Sequence, residues 1–295
     1  MSAIVVSFIS EKGGVGKTTA CYHIAVGLKR FHEKRVLVVD TDYQRGGITG
    51  RFFPKLLEKF KTGTMPGTTL FHVFRALYSG QTQLPSPDVK TSSLEVDVMP
   101  SDPRLTEVST DKLPSGSNIR ENTLRLFAHL SAIAAVLESH RRSYDYILID
   151  THPETSELLR SVIFASNHAV SPVKLDEQSS VGVPSAIEAV NGVNEDVQVL
   201  QKALGAGQGR TPTAFGGSIG MMAREYGGDL KYTESVQYRR LQGAGGIFVN
   251  YVTEGDGLRM AAADHVPVYD VQGANAVKQA GQFKKIVKEF IRRCP

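Results

Sequence analysis

A glycine-rich loop between a short apolar run and a helical pattern restricts the fold of this chain more than any other feature. Residues 4–9 are apolar and mostly β-branched, residues 18–31 have helical spacing, and the loop between them reads Lys12-Gly13-Gly14-Val15-Gly16-Lys17-Thr18-Thr19. Glycines let backbone N–H groups approach phosphate oxygens closely, and the start of the following helix favours anions. The sequence therefore predicts a phosphate-binding loop that follows a buried strand.

The residues of this loop have separate predicted roles. Lys17 would reach the β- and γ-phosphates, Thr18 would coordinate Mg²⁺, and Thr19 would bond the α-phosphate. The remaining nucleotide contacts would come from the backbone at Gly13, Gly14, Val15 and Gly16. The general pattern G-x-x-x-x-G-K-[ST] is not strictly met, because Glu11 stands at its first glycine. A second lysine, Lys12, opens the loop instead.

Short β-branched runs alternate with longer helical segments along the chain. The predicted strands are residues 4–9, 35–40, 146–150, 169–173 and 246–252, and the predicted helices are 18–31, 119–139 and 183–204. This alternation implies right-handed crossovers and an α/β fold with a mostly parallel twisted sheet covered by helices on both faces. We expect a single domain over 1–295, with an irregular elaboration over 45–118 and a basic helix over 276–295.

Two of the predicted strands end in acidic residues. One runs into Asp40-Thr41-Asp42-Tyr43-Gln44, and the other ends at Asp150. Parallel sheets bind ligands at the carboxyl ends of their strands. These carboxylates are therefore candidates for holding a metal ion and its water beside the phosphate loop.

Composition excludes several classes of protein. Cys21 and Cys294 lie almost a chain length apart, so they cannot supply a zinc or iron–sulfur site alone. The opening MSAIVVSFIS has no cationic region, and we interpret it as a strand rather than a signal peptide. No apolar run approaches the roughly 18 residues that indicate a membrane span. A soluble, cytoplasmic protein is the prediction.

The loop resembles the deviant Walker A motif, KGGxGKTT, of ParA/MinD-type ATPases. That resemblance implies a P-loop NTPase fold, ATP and Mg²⁺ as ligands, and hydrolysis of ATP to ADP and phosphate. It also implies an ATP-sandwich homodimer, in which Lys12 reaches across to the partner's nucleotide, so that Lys12 and Lys17 are both catalytic. A second cation neutralises phosphate charge in this way only when two subunits meet face to face.

Two further segments are similar to motifs of the same family. Residues 40–44 resemble its DxDPQ motif with Tyr43 in place of proline, which implies that Asp40 orients the attacking water and helps to hold the metal's water shell. Asp42 is a weaker candidate. Residues 144–150 resemble a Walker B strand, which places Asp150 near Mg²⁺ through a water. The family continues DxPP, whereas this chain has Asp150-Thr151-His152-Pro153-Glu154, and the roles of His152 and Glu154 stay open.

The branches of the family differ in what the ATP-bound dimer holds. Cluster carriers need bridging cysteines, which Cys21 and Cys294 do not provide. ParA-like proteins bind DNA without regard to sequence, work with a ParB-like centromere-binding protein or a cargo adaptor, and segregate a plasmid, a chromosome or a protein body such as carboxysomes. We expect this branch, with nucleoid association. No helix-turn-helix precedes the loop, so operator binding is not expected. The alternatives are a MinD-like membrane-cycling regulator and a metabolic phosphotransferase.

The charge of the chain is concentrated at its end. The net charge is +4, and residues 276–295 hold six Lys and Arg residues against one Glu, a local balance of +5 that leaves −1 for the rest. Apolar residues recur there at helical spacing, so this segment can pack on the sheet and present its cations to DNA, or lie on a membrane. Membrane attachment is the less favoured of the two. The predicted DNA contacts are Arg259, Lys278, Lys284, Lys285, Lys288, Arg292 and Arg293.

Overall fold

The computed structural model describes residues 2–44, 47–63, 65–176, 182–205, 210–243 and 246–295. Its strands are β1 (Ile4–Phe8), β2 (Val36–Asp40), β3 (Lys90–Thr91), β4 (Asp97–Met99), β5 (Tyr146–Asp150), β6 (His168–Lys174), β7 (Ala214–Met221), β8 (Glu225–Tyr226) and β9 (Asp229–Leu230). Its helices are α1 (Lys17–His32), α2 (Gly47–Phe52), α3 (Leu56–Lys61), α4 (Leu70–Tyr78), α5 (Ile119–Leu130), α6 (Ala132–Glu138), α7 (Glu157–Ala165), α8 (Gly182–Leu204), α9 (Tyr232–Gly243), α10 (Asp256–Ala263) and α11 (Ala274–Arg293).

The predicted mostly parallel sheet is confirmed. Its seven strands in the described part of the chain follow the order β3-β4-β2-β5-β1-β6-β7, and only the two-residue edge strand β3 is antiparallel to its neighbour. β5 lies between β1 and β2, so that Asp150 pairs with Phe8 on one side and with Asp40 on the other. This order brings the phosphate loop and both acidic strand ends to one edge of the sheet.

Alternate residues of the central strands are buried on opposite faces of the sheet. Val6 and Phe8 join an apolar cluster with α1 and α11, whereas Val5 joins a second cluster with α4, α6 and α7. Strands covered on both faces are apolar at every position, which explains the continuous apolar runs in the sequence.

The predicted irregular elaboration over 45–118 is wrong in one respect. It contains β4, which pairs with β2 so that Val98 lies opposite Val38 and Met99 opposite Val39, and both Val98 and Met99 are fully buried. Three residues are too short for a periodic pattern to predict a strand. The segment also contains α2, α3 and α4; residues 45, 46 and 64 lie outside the described part of the chain.

The predicted helix over 119–139 is two helices that meet at Ser131. The Ser131 hydroxyl donates to the carbonyl of Ala128, and the amide of Ile133 lies 3.5 Å from the hydroxyl of Ser161 on α7. Side-chain hydroxyls that bond backbone groups in this way compete with the regular helical ladder. The break therefore coincides with side-chain hydroxyl contacts, one of them from α7, that a periodic pattern does not contain.

The predicted strand over 246–252 is also wrong in part. Its ends bond β7, where the amide of Phe248 donates to Ser218 and the amide of Val252 donates to Gly220. Between these points, however, the amides of Val249 and Asn250 donate to the carboxylate of Glu289 on α11, at 2.8 and 3.1 Å. The carboxylate takes the donors that a regular ladder would use, so the segment pairs with β7 through the isolated bridge of Ile247 with Ser218 rather than as a regular strand.

The basic C-terminal segment forms α11, which begins and ends two residues earlier than predicted. Its apolar side is buried in the core, where Phe290 lies 6.1 Å from Phe8 and Phe283 stacks on His23 at 4.6 Å between ring centroids. This apolar side is therefore not available to lipid. No helix in the described ranges is long and apolar enough to cross a membrane.

His23 of α1 is a fully buried residue that joins α1 to the C-terminal region. Its Nδ1 lies 2.8 Å from the carbonyl of Thr19, and its Nε2 accepts the amide of Val268 at 3.0 Å. These contacts require a neutral ring with its hydrogen on Nδ1. Burial, aided by the charge of Arg51, lowers the pKa of His23 to about 3.

We predict that this histidine makes the fold sensitive to acid. The folded state binds the proton less readily than the unfolded chain, so the stabilisation is complete above the unfolded pKa of about 6.5 and is lost as the pH falls toward 3. At pH 5 the loss is about 2 kcal/mol. Urea unfolding at pH 7 and pH 5 measures it, and His23→Gln should lose this part of the pH dependence. The exposed His265, replaced by Asn to suit its φ of 54°, is the control; equal pH dependence in His23→Gln and wild type would contradict the assignment.

Candidate nucleotide and metal site

The phosphate loop turns sharply into α1 at Gly16. Gly16 has a φ of 94°, in the left-handed region, and is the N-cap of α1, which begins at Lys17. A Cβ at Gly16 would also lie 3.1 Å from Cε of Met221 on β7. Only glycine meets both demands without strain. The first amides of a helix have no carbonyl partner within it, so the start of α1 would stabilise an anion at the end of the loop.

Lys17 is buried in the loop that it is predicted to serve. Its Nζ donates to the carbonyls of Ser10 at 3.3 Å and Lys12 at 3.4 Å. Burial lowers the pKa of Lys17 to about 8, although the negative charges of Asp150 and Asp42 oppose the shift. A buried ammonium held across the loop by carbonyls is placed to bind a phosphate, whose charge would favour its protonated form.

Three oxygen atoms converge on an open position beside Gly47, the first residue of α2. A Cβ built on Gly47 would have Asp42 Oδ2 at 3.4 Å, Thr18 Oγ1 at 3.5 Å and Asp150 Oδ2 at 3.7 Å as its nearest atoms. Both carboxylate oxygens of Asp150 are buried, and neither makes a hydrogen bond of good geometry with any described residue. Glycine at position 47 keeps this position open. We name it the oxygen cradle.

The oxygen cradle fits Mg²⁺ in both chemistry and charge. Mg²⁺ prefers carboxylate and hydroxyl oxygens, keeps several waters, and in nucleotide sites completes its shell with phosphate oxygens. No group of three or more His, Cys, Asp or Glu side chains in the described residues could hold a metal by itself. Thr18, Asp42 and Asp150 would thus supply the protein's side of a shared site. The sequence motifs made Asp42 only a weaker candidate for the site, but its Oδ2 lies in the oxygen cradle.

Asp40 lies behind the oxygen cradle with both carboxylate oxygens bonded. Oδ1 accepts the amide of Asp42 at 2.9 Å, and Oδ2 accepts the amide of Thr49 at 2.9 Å and its hydroxyl at 2.6 Å. Burial raises the pKa of Asp40 to about 7 despite these bonds. Burial and the neighbouring Asp40 charge raise the pKa of Asp150 as well. This closely packed acidic group favours a cation, and a contact of Asp40 with metal-bound water stays a prediction.

A cavity of about 260 Å³ adjoins the other side of the phosphate loop. Gly16 and Thr19 form one wall, and Arg51, Met222 and Glu254 are among the residues that form the others. Arg51 is a functional candidate that no motif predicted; its Nη2 donates to the Thr19 hydroxyl at 3.1 Å. If Thr19 binds the α-phosphate as predicted, the nucleoside of a bound nucleotide is expected in this cavity.

The predicted DNA-binding residues divide into two groups. At 100° per residue, five cations of α11 fall within an arc of about 120° on the side away from the core; they are Lys278, Lys284, Lys285, Lys288 and Arg292. Arg293 lies elsewhere, because it bonds Glu289 at 2.9 Å and the carbonyl of Ile247 at 2.9 Å. Arg293 therefore joins α11 to residue 247, and its role as a DNA contact stays a prediction.

All five outward cations are exposed to solvent, but two of them also contact other side chains of the protein. Lys278 pairs with Glu225 at 2.5 Å, and Lys284 lies 4.6 Å from the ring centroid of Phe31. Lys285, Lys288 and Arg292 are exposed. Arg259 is not on this face: it belongs to α10, forms an ion pair with Asp256 and lies at the wall of the 260 Å³ cavity.

Sequence comparisons place the chain among known proteins. The AAA_31 family model, an AAA domain, matches residues 3–204. A ParA family protein of Mycoplasma pneumoniae is 22% identical over 294 residues, 98% of this chain and 97% of that protein. A ParA family protein of Chlamydia muridarum is 25% identical over 185 residues, and the chromosome partitioning protein ParA of Caulobacter vibrioides is 28% identical over 189. The alignment with the Chlamydia protein covers 63% of this chain and 64% of that protein, and the alignment with the Caulobacter protein covers 64% and 62%. This chain therefore spans slightly less than two thirds of the length of each of these two relatives.

Solved structures with the same fold include nucleotide complexes. The McdA–ATP complex from Cyanothece has a TM-score of 0.69 at 15% identity, covering 98% of this chain and 96% of that one. A plasmid partition protein from Borrelia burgdorferi has a TM-score of 0.62 at 17% identity, covering 99% of both chains. Cobyrinic acid a,c-diamide synthase from Mycobacterium smegmatis, with an ATP analogue and magnesium, has a TM-score of 0.67 at 15% identity, covering 98% and 94%. At these identities the likeness establishes the fold alone.

Proposed function

The chain belongs to the AAA_31 family, and ParA family proteins are among its relatives, so we propose that it hydrolyses ATP as a partition or positioning protein. One observation carries the proposal: the phosphate loop, with Lys12 at its start and buried Lys17 at its end, lies beside the oxygen cradle. This arrangement pairs cations for the phosphates with oxygen ligands for the metal that accompanies them.

The chain's own residues would divide the work of hydrolysis. The backbone of the phosphate loop and Lys17 bind and orient the phosphates of ATP. Mg²⁺, when bound in the oxygen cradle, neutralises charge that develops on the phosphate oxygens. Asp40, which is bonded by Thr49, would orient the attacking water and accept its proton, and its pKa of about 7 supports this role.

Two copies would complete the site. Lys12 of each copy reaches the nucleotide of the other, so that ATP holds the dimer together and hydrolysis releases it. We find no arginine finger in the sequence, so turnover without a partner should be slow, on the order of 10⁻² s⁻¹ or less. A ParB-like or cargo-adaptor protein would accelerate it. The cargo would be a plasmid, a chromosome or a protein body.

In this proposal the ATP-bound dimer holds DNA through the outward cations of α11. Each copy contributes one face, and dimerisation doubles the number of phosphate contacts without any base-specific group. The buried apolar side of α11 favours this function over a MinD-like membrane cycle, which would need that side for lipid.

DNA retardation in ATP, ADP and no nucleotide, over a salt series, tests this function. We expect retardation with ATP only, and an affinity that falls steeply as salt rises. Replacing Lys285, Lys288 and Arg292 by alanine should reduce the salt slope by up to about three contacts per copy. The matched control replaces the exposed Lys55, Lys59 and Lys61 at α3. Equal binding in all nucleotide states, or equal loss in both triple variants, would count against DNA binding by α11.

A further inference from the structure

Tyr43, His152 and Glu154, which depart from the family's sequence pattern, lie together in the structure. Tyr43 comes after β2, whereas His152 and Glu154 come after β5, more than 100 residues later. The ring centroids of Tyr43 and His152 are 4.5 Å apart, and the Tyr43 hydroxyl donates to Glu154 Oε1. The departures therefore form one cluster, and Asp42 borders it, next to Tyr43 in the sequence and in contact with His152.

The histidine of this cluster contacts Asp42, one of the three residues whose oxygen atoms form the oxygen cradle. His152 Nδ1 lies 3.0 Å from Asp42 Oδ1. An ionised carboxylate only accepts hydrogen bonds, so the histidine donates from Nδ1. Asp42 Oδ1 also accepts the amide of Gln44 at 3.0 Å, while Oδ2 is directed to the oxygen cradle beside Gly47. The bond from His152 therefore fixes which oxygen of Asp42 is left for a metal.

The ring of His152 is itself held in place. Its side chain is only 7% exposed, with Tyr43 against one side. Its Nε2 lies 3.8 Å from Glu154 Oε2, which is beyond hydrogen-bond distance, so burial, the Tyr43 ring and the bond to Asp42 are what hold the ring. The adjoining segment also contacts the phosphate loop, because Pro153 Cγ would lie 3.8 Å from a Cβ at Gly13. A ring held in this way can hold the carboxylate in turn.

We infer that His152 is a positioning residue that orients the Asp42 carboxylate toward the metal of the nucleotide site. The inference rests on the proposed function, since the metal is the one that accompanies ATP. Residues that hydrogen-bond a metal ligand typically change metal affinity or activity about 10- to 100-fold when they are replaced. In this role His152 acts through Asp42 rather than on the reacting atoms.

Two conservative substitutions of His152 distinguish the effect of its Nδ1 hydrogen-bond donor from the effect of its ring packing. Asparagine at 152 places an amide N–H near the position of Nδ1, whereas glutamine places its amide near Nε2. The readout is Mn²⁺ binding to the ADP-bound protein by electron paramagnetic resonance, with ADP binding in EDTA as the measure of a folded nucleotide site. His168→Gln, a partly buried histidine at the start of β6, is the matched control.

We expect His152→Gln to weaken Mn²⁺ binding about 10-fold or more, and His152→Asn to restore most of it. ADP binding in EDTA should match wild type in both variants, and His168→Gln should match in both assays. In an Asp42→Asn background, His152→Gln should add no further loss, because the carboxylate that it orients is gone.

Three outcomes would overturn the inference. Wild-type Mn²⁺ binding in His152→Gln would show that the histidine does not influence the metal. Equal loss in His152→Asn and His152→Gln would assign the effect to ring packing rather than to the Nδ1 donor. Failure of the wild type to bind ADP at all would instead reject the proposed function, and the inference with it.

Discussion

Replacing Lys12 by alanine is expected to abolish ATP hydrolysis and ATP-dependent dimerisation while leaving ATP binding by the monomer. Lys17, the backbone of the loop and the oxygen cradle remain to bind nucleotide in each copy. What is lost is the cation that each copy would contribute to its partner's phosphates. Removing one group that stabilises transition-state charge costs a factor of about 100 to 1,000, so turnover should fall at least that far.

Three measurements on Lys12→Ala separate these effects. Phosphate release measures hydrolysis, light scattering with ATP measures dimerisation, and a fluorescent ATP analogue measures binding. Lys202→Ala, which removes an exposed lysine near the end of α8, is the charge-matched control and should behave as wild type. Unchanged turnover in Lys12→Ala would reject a role in trans. Loss of nucleotide binding together with turnover would instead make Lys12 an ordinary ligand of its own copy's phosphates.

Asp40→Ala should have the opposite effect on the dimer. ATP binding does not require Asp40, whereas orienting the attacking water does, so the variant should hold ATP and remain dimeric. General-base assistance contributes a factor of about 100 to 10,000, and hydrolysis should fall within that range. Phosphate release and light scattering in ATP over several hours would measure the trapped dimer.

A second variant controls for packing at Asp40. Alanine leaves the Thr49 hydroxyl and the amides of Thr49 and Asp42 without their shared acceptor. Asp40→Asn keeps the size of the side chain and removes the base, so it should trap the same dimer if chemistry is responsible. Normal hydrolysis in Asp40→Asn would remove Asp40 from the mechanism. A dimer lost in alanine and kept in asparagine would assign the alanine effect to packing.

The sequence was sufficient for features with a local chemical cause. The loop that begins at Lys12 follows β1 and continues into α1 at Lys17 as expected, because glycines, a paired lysine and threonine, and the flanking periodicity all act within about 30 residues. Asp40 and Asp150 lie at adjacent strand ends as expected, because parallel strands bring their carboxyl ends to one edge.

Features that depend on distant contacts could not be predicted in the same way. The position of Asp42 in the oxygen cradle depends on Gly47 and α2, in a segment expected to be irregular. Arg293 looked like any other cation of α11, and its role in the core appears only when Glu289 and residue 247 are adjacent. Similarly, His152 contacts Asp42 across 110 residues of sequence, which no spacing within a motif reveals.

Light scattering of the wild-type chain in ATP, ADP and no nucleotide, with Mg²⁺ throughout, tests the central claim most directly. We expect the mass to double from 32.1 kDa with ATP and to stay at that value with ADP or without nucleotide. A single mass in all three conditions, with ATP bound, would contradict the ATP-sandwich dimer. It would favour a metabolic phosphotransferase on the same fold, in which Lys12 has no partner to reach.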